Sequence, residues 1–167
     1  MLETQRLILR KWTEEDAESL FEYAKDPEVG PITGWPPHKN VEESKNVIRN
    51  VLNGAECYAI CRKENNIAIG SIELILNSHT DMTERDDECE LGYWLGQPFW
   101  GRGYMPEAAR ESLRHGFEDL FCFLGAKSFM PGIAPPATAQ KYRLATLQYG
   151  LNLRRYFSNS LRSIFLW

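Results

Sequence analysis

Residues 90 to 109 read Glu90-Leu-Gly-Tyr-Trp-Leu-Gly-Gln-Pro-Phe-Trp-Gly-Arg-Gly-Tyr-Met-Pro-Glu-Ala-Ala109, and this run sets the expectations for the rest of the chain. The apolar and aromatic residues from 91 to 95 predict a strand, which ends at Gly96-Gln-Pro98. A loop with Gly101 and Gly103 follows, and Pro106 with Glu107 indicates the first turn of a helix. Proline is favoured there because its missing N–H would have no intrahelical partner, and a glutamate suits the positive end of the helix dipole.

The loop has the composition of an anion-binding site. Two glycines before a helix start let several backbone N–H groups converge on one anion, which favours a pyrophosphate cradle. The alternative is an ordinary strand–turn–helix corner without a ligand. Two other phosphate-binding motifs do not fit. A Walker loop requires Gly-Lys-Ser/Thr and no such lysine follows Gly103, while a Rossmann fingerprint requires a third glycine where Pro106 stands.

The composition is that of one soluble globular domain. With 167 residues, 43% of them hydrophobic and 25% charged, the chain can bury a core, and we expect a single domain over 1–167. No apolar run approaches the ~20 residues that span a membrane, and the first residues lack a signal-peptide core, so the expected compartment is the cytoplasm. The four cysteines form no C-x-x-C pair, which predicts no zinc or other metal. Cys57 and Cys61 would share one strand face and be buried.

Hydrophobic periodicity predicts the other elements. The predicted strands are 4–12, 56–63, 67–76 and 88–95, and the predicted helices begin near Thr13, span 41–52 and span about 105–118. Strict alternation along 67–76 places Ile69, Ser71 and Glu73 on one face. The order β-α-α-β-β-β-α predicts an α+β fold, with a mainly antiparallel central sheet flanked by helices.

Four segments together resemble the GNAT superfamily of N-acetyltransferases, and more closely its branch of ribosomal-protein-alanine acetyltransferases. They are Glu3-Thr-Gln-Arg-Leu-Ile-Leu-Arg10, the pair Trp35-Pro-Pro-His38 and Val41-Glu-Glu-Ser44, Glu90-Leu-Gly-Tyr-Trp-Leu95, and Trp100-Gly-Arg-Gly-Tyr-Met-Pro-Glu-Ala108. They follow the family's order over about residues 1–120. Against the superfamily signature R/Q-x-x-G-x-G/A, Trp100 and Met105 are departures, whereas the W-G-x-G-Y form resembles this branch.

The resemblance implies an acetyl-CoA-dependent N-acetyltransferase with a GNAT-like sheet. The loop N–H groups would bind the pyrophosphate of acetyl-CoA, and the end of the preceding strand would bind the pantetheine arm. The implied cofactor-binding residues are Leu95, Gly96, Gly101, Arg102, Gly103, Tyr104 and Met105. The implied acceptor is a primary amine, either a protein N-terminus or a small molecule, and Trp35 and His38 would lie in the loop on its side.

Direct attack of an amine on the thioester requires a proton acceptor, a stabilised oxyanion and a leaving thiolate. Glu90 is the first candidate for the base, directly or through a water, because it lies mid-strand beside the expected thioester site. Glu73, on the preceding strand, is the second candidate. A backbone N–H within 93–95 would stabilise the oxyanion. A lone histidine such as His38 is more often structural than catalytic.

The resemblance ends after Leu120. Residues 121–167 contain no Asp or Glu but six basic residues, so they carry +6 while residues 1–120 carry −10. In the family this part supplies a short strand, an Asn near the pantetheine, often a Tyr general acid, and two closing strands, and none of them is recognisable here. We therefore hypothesise that the segment from about Phe121 is out of the ancestral reading frame or has been replaced, with divergence as the alternative. A one-base shift near codon 121 of the coding DNA should then restore an Asn-x-x-Ser segment.

Three functional classes follow from these features. The first is an active acetyl-CoA:amine N-acetyltransferase, and the second is a non-catalytic or defective relative that lacks the C-terminal half of the site. The third is a nucleic-acid or membrane-surface module that uses Arg154, Arg155 and Arg162. The acidic body and the lack of an RNA-binding motif argue against the third class, so neither nucleic acid nor membrane is an expected partner. The oligomeric state is not predicted by any feature of the sequence.

Overall fold

A computed structural model of the chain describes residues 1–30, 34–76, 88–120 and 123–124. The strands are β1 (Leu2–Glu3), β2 (Leu7–Arg10), β3 (Cys57–Arg62), β4 (Ala68–Leu76), β5 (Glu88–Leu95) and β6 (Phe123–Leu124), and the helices are α1 (Ala17–Ala24), α2 (Val41–Asn50) and α3 (Tyr104–Glu118). Residues 77–87, between the predicted strands 67–76 and 88–95, and nearly all of segment 121–167 lie outside the described residues. No described helix is both long enough and apolar enough to cross a membrane.

The described strands form one sheet in sequence order. β1 to β5 pair antiparallel, and β6 pairs parallel with the start of β5, which confirms the predicted α+β fold with a mainly antiparallel sheet. Two details differ from the prediction. The strand expected over 4–12 is shorter, Leu7–Arg10, and the separate two-residue strand β1 precedes it. The chain turns between them at Thr4, whose hydroxyl accepts a hydrogen bond from the Leu7 N–H at 2.9 Å. β6 was not recognised, since a strand of two residues has no periodicity.

The sheet carries one apolar core on each face. On one face α3 packs over the strands, and this core includes the buried side chains of Leu7, Ile60, Ile72, Leu91 and Leu113. On the other face α1 and α2 pack over β3, and that core includes Leu20, Ile48, Ala59, Cys57 and Cys61. The predicted burial of Cys57 and Cys61 on one face is therefore confirmed. Burial raises the pKa of both thiols to about 11, so neither is a reactive thiolate near neutral pH.

A bulge in β4 changes which residues share a face. The register between β3 and β4 shifts by one residue, which leaves Ile69 without a direct partner on β3. Ile69 is buried in the core under α3, whereas Ser71 lies in the opposite core and accepts a hydrogen bond from Trp12 Nε1 at 3.1 Å. The prediction that Ile69 and Ser71 share a face is therefore wrong, because strict alternation holds only for a strand without a bulge.

The entry into α1 joins this helix to the sheet. A 3-10 turn, Glu14–Asp16, precedes the helix, and Thr13 is its N-cap as predicted. The Asp16 carboxylate accepts the Thr13 N–H at 2.9 Å and a bidentate pair of bonds from Arg10, both at 2.7 Å. Because Arg10 belongs to β2, this carboxylate fixes the position of α1 on the first core strand.

Candidate functional site

The connection from β5 to α3 has the geometry of a glycine loop. After Leu95 the chain makes a 3-10 turn, Gln97–Phe99, and then passes Gly101 and Gly103 with φ of 71° and 77°. Side chains disfavour these left-handed conformations, which explains glycine at both positions. Gly103 is the N-cap of α3, so the loop leads directly into the first turn of a 15-residue helix.

The loop presents backbone N–H groups that are free to bind a ligand. Within the part of the chain that the structure describes, no protein acceptor binds the N–H groups of residues 101 to 105. A Cβ added at Gly101 would meet no atom within 4 Å, so the loop is open there. Free N–H groups at the positive end of a helix are features of an anion site. Over the same described ranges, no group of three His, Cys, Asp or Glu residues is placed to hold a metal ion.

The other side of this loop is bonded to the turn between β1 and β2. The Glu107 carboxylate, in the first turn of α3, accepts the Thr4 hydroxyl at 2.6 Å and both the backbone N–H and the Nε of Arg6 at 2.7 Å. Arg6 Nη1 donates to the Arg102 carbonyl at 3.0 Å, and the guanidinium carbon lies 4.4 Å from the centre of the Tyr104 ring. Burial alone would raise the pKa of Glu107, but the hydrogen bonds from Thr4 and Arg6 outweigh it and lower the pKa, so this carboxylate is ionised.

The end of β5 is hydrogen-bonded more fully within the protein than the sequence suggested. The Leu95 carbonyl accepts Trp100 Nε1 at 2.7 Å, and the Gly96 N–H donates to the Ile69 carbonyl at 2.9 Å. Gly96 therefore has no N–H left for a ligand. Its lack of a side chain is explained by Tyr23, because the Tyr23 ring would lie 2.8 Å from an added Cβ.

The two candidates for the base, Glu73 and Glu90, lie on the sheet face that α1 and α2 cover. In the β4–β5 ladder Glu73 pairs with Gly92 and Glu90 pairs with Ile75, so the two carboxylates are diagonal neighbours. Burial raises the pKa of Glu73, Lys11 offsets part of that rise, and the charge of Glu90 adds to it. Glu73 therefore takes up a proton closer to neutral pH than an exposed glutamate does.

Trp35 lies on the same face of the sheet as these carboxylates. Its ring centre is 6.0 Å from that of Trp94 on β5 and 5.2 Å from that of His38, and Trp94 stacks on Trp12 at 6.3 Å. Trp94 follows Glu90 by four residues on one strand face, a separation of about 13 Å. The aromatic rings and the two carboxylates therefore lie on one face of the sheet, although they come from separate parts of the chain.

His38 occupies a structural position beneath Trp35. Its Nδ1 lies 2.8 Å from the hydroxyl of the buried Ser44, and its backbone N–H donates to the Ala24 carbonyl at 3.0 Å. Burial lowers the pKa of His38, and the charge of Glu43 opposes this change only in part. His38 is therefore neutral near pH 7 and joins the start of α2 to the end of α1. Acceptor binding by Trp35 and His38 stays a prediction.

Three residues around the loop were not assigned to the site from the sequence: Thr4, Arg6 and Glu107. Arg6 was interpreted only as part of a strand, and Glu107 only as a helix-dipole residue. Their contacts join positions 101 and 103 residues apart, which no local pattern reveals. One signal was present, because all three residues lie in the segments that carry the family resemblance.

Comparisons of this sequence with known proteins find one protein family that matches most of the chain. The family profile described as "Acetyltransferase (GNAT) domain" matches residues 6–147, so the match extends beyond residue 120, where the recognisable motifs end. The "Uncharacterized N-acetyltransferase p20" of Bacillus licheniformis is 32% identical over 124 residues, which are 71% of this chain and 67% of that protein.

Solved structures share the fold. An acetyltransferase of the GNAT family from Bacillus anthracis has a TM-score of 0.59 at 24% identity, over 72% of this chain and 68% of that one. A Vibrio cholerae structure solved as a candidate ribosomal-protein-serine acetyltransferase also has a TM-score of 0.59, at 26% identity, over 74% of this chain and 70% of that one. Because the family profile covers most of the sequence and a curated N-acetyltransferase is 32% identical, the chain belongs to the GNAT family of acetyltransferases.

Proposed function

We propose that this acetyltransferase transfers the acetyl group of acetyl-CoA to a primary amine. The observation that carries the proposal is that no acceptor among the described residues binds the N–H groups of residues 101–105, at the positive end of α3. A pyrophosphate has the charge and the acceptor oxygens that these groups require. The donors would be the N–H groups of Gly101, Arg102, Gly103, Tyr104 and Met105.

The pantetheine arm would lie along the outer edge of β5. The short strand β6 pairs with β5 at Glu88 and Cys89, near the start of β5. β5 leads from there to the glycine loop, so an arm that adds as an extra strand would carry the thioester towards the middle of β5. Leu95 retains a second lone pair on its carbonyl for this arm. Gly96 offers no free N–H donor, and the Tyr23 ring fills the space beside its Cα.

The reaction is a direct acyl transfer. The nitrogen of the acceptor attacks the thioester carbonyl, a C–N bond forms, the C–S bond breaks, and CoA leaves as the thiol after taking up a proton. Because an ammonium group has no free electron pair, the acceptor must first lose a proton to a base. Glu90 remains the first candidate for that base and Glu73 the second, and the raised pKa of Glu73 strengthens its case.

The acceptor would approach from the side of β5 that carries Trp35 and Trp94. Aromatic faces attract cationic groups, so these rings suit an amine that arrives protonated. The likeness to the Vibrio cholerae structure favours a protein N-terminus as the acceptor, and a small-molecule amine is the second class.

Turnover of acetyl-CoA over a panel of N-terminal peptides and small amines tests the proposal. We expect acetylation of at least one amine, and a fall in kcat of about a hundredfold in the variant that lacks the base, Glu90→Gln or Glu73→Gln. Glu18→Gln, an exposed glutamate on α1, is the matched control. Unchanged turnover in both test variants would remove these carboxylates from the mechanism. Binding of acetyl-CoA without transfer to any amine would instead support a non-catalytic relative.

A further inference from the structure

We infer that the ion pair of Arg6 and Glu107 is a positioning device for the glycine loop, which aims the N–H groups of residues 101–105 at the pyrophosphate without itself touching the ligand. The inference rests on the proposed function, since it concerns the same loop. The two residues come from opposite ends of the described core and meet only in the folded protein.

A loop that binds a ligand through its N–H groups cannot also be held in place through them. It must be fixed through its carbonyl groups and its flanking side chains. Arg6 Nη1 binds the Arg102 carbonyl at 3.0 Å, and the Glu107 backbone N–H binds the Gly103 carbonyl at 3.3 Å. Both tethers use carbonyl groups and leave the N–H groups free.

One side chain connects all parts of the loop. Arg6 binds Glu107 on the helix through Nε and the loop through Nη1, and it stacks on Tyr104 at the helix start. The Tyr104 ring in turn contacts Phe99 in the preceding 3-10 turn, with ring centres 6.2 Å apart. Arg6 also passes close to the backbone, because its Nη2 would lie 3.5 Å from a Cβ added at Gly103. A change at Arg6 therefore loosens the turn, the loop and the helix start together.

The charges of the pair show why its role is geometric rather than electrostatic. The positive charge of Arg6 is neutralised by Glu107, whose side chain is only 14% exposed. If attraction of the anion were the purpose, Glu107 would oppose it. The two roles thus give opposite expectations for Glu107→Gln: loss of a negative charge strengthens binding of an anion, whereas loss of the tether weakens it.

Calorimetric titration with acetyl-CoA separates these roles. We expect Arg6→Ala and Glu107→Gln each to raise the Kd by about tenfold, as for other partners that orient a ligand-binding group. The kcat at saturating acetyl-CoA should change little. Arg49→Ala is a matched control, because Arg49 forms a bidentate pair with Glu14 at 2.7 and 2.6 Å and is 44% exposed, against 43% for Arg6. Its Kd should equal that of the wild type.

Three further results decide the inference. Tighter binding by Glu107→Gln, or full rescue of binding by Arg6→Lys, would overturn it, since a lysine keeps the charge but lacks the planar fork. Amide hydrogen exchange of the free protein gives a readout without ligand: the backbone N–H of residue 107, which donates to the Gly103 carbonyl, should exchange faster in both variants than in Arg49→Ala. Equal exchange would also overturn the inference. If the wild type binds no acetyl-CoA, the proposed function fails, while the exchange data still decide whether the pair positions the loop.

Discussion

Glu73 carries a charge where burial makes that charge unfavourable. Its Oε1 lies against Gly54, where an added Cβ would be 2.6 Å away, and its neighbours across the sheet are Cys57 and Gly92. None of these neighbours supplies a cation, and the nearby Lys11 binds the backbone carbonyls of Gly54 and Ala55. Burial therefore raises the pKa of Glu73, and the charged carboxylate makes the folded state less stable.

Because burial disfavours the charge of Glu73, the substitution Glu73→Gln should change the stability of the protein. Since the pKa of Glu73 is raised in the folded state, its favourable contribution is present below the unfolded pKa of about 4.3 and is lost as the pH rises through the folded pKa. Above that pH the charged carboxylate destabilises the fold. We therefore expect Glu73→Gln to be more stable than the wild type at pH 7.5, with the gain shrinking towards pH 4.5, as measured by urea unfolding at both values.

The control for that experiment is Glu18→Gln on the exposed face of α1, which removes the same charge without removing a buried one. A Glu73→Gln protein that is less stable than the control at pH 7.5 would contradict the expectation. It would mean that the attraction of Lys11 outweighs burial.

Asp16 presents the opposite case. Burial would raise the pKa of Asp16, but the hydrogen bonds from Arg10 and Thr13 outweigh burial and lower the pKa. Its contribution to stability is present above the unfolded pKa and is lost as the pH falls through the folded one. Asp16→Asn should therefore destabilise the protein by about 3 kcal/mol at pH 7, because Arg10 loses a buried partner.

The measurement for Asp16→Asn is again urea unfolding, now from pH 7 down to pH 3. The variant and the wild type should converge at low pH, where Asp16 is protonated in both states. Glu14→Gln serves for comparison, since it breaks an exposed pair with Arg49 and should change stability little. A constant difference between Asp16→Asn and the wild type over the whole pH range would point to lost packing rather than lost charge.

At the scale of elements, the contact between β4 and β5 depends on a glycine at the bulge. A Cβ added at Gly70 would lie 2.4 Å from the Trp94 carbonyl and 3.0 Å from the Leu95 Cα, and both are backbone atoms that cannot move alone. Gly92 is on the adjacent strand of the same ladder, and a Cβ added there would meet nothing within 4 Å. The two glycines thus form a natural pair of test and control.

We predict that Gly70→Ala destabilises the protein by more than about 2 kcal/mol, because β4 and β5 must separate at the end that leads into the glycine loop. Gly92→Ala should have little effect or stabilise slightly, since it restricts the unfolded chain. Thermal unfolding of both variants measures this difference. Equal melting temperatures would show that the bulge relaxes to accept a side chain.

An element could be predicted from the sequence when the residues that determine it lie close together in the chain. The stripe of α3, the N-cap at Thr13 and the glycine loop were predicted because their signals lie within a few residues. The bulge at Ile69 was not, because an extra residue in a strand is defined only by its partner strand. The contacts of Arg6 with Glu107 were missed for the same reason, as they depend on the packing of α3 against the first strands.

On the scale of the whole molecule, the candidate site is assembled from the entire described core. The glycine loop follows β5, its tethers come from the turn between β1 and β2, and the carboxylates and aromatic rings lie on the face that α1 and α2 cover. In the proposed reaction, each core would support a different part of the site: the α3 side would hold the loop for the cofactor, and the other side would hold the carboxylates. Because the site forms only when the whole described core is folded, a ligand that binds the loop should stabilise the folded protein as a whole.

This coupling predicts a concentration-dependent rise in melting temperature with acetyl-CoA. At about one hundred times the Kd, binding to the folded state adds about 2.7 kcal/mol, which corresponds to a rise of about 8 °C for a domain of this size. Acetyl-pantetheine carries the thioester but no pyrophosphate, so it should produce a much smaller rise at the same concentration if the N–H groups of residues 101–105 supply most of the binding. The Arg6→Ala variant should lose about half of the rise with acetyl-CoA, as a tenfold higher Kd implies, whereas Arg49→Ala should keep it. Equal shifts with acetyl-CoA and acetyl-pantetheine in the wild type would place the main binding energy along β5 and not in the glycine loop.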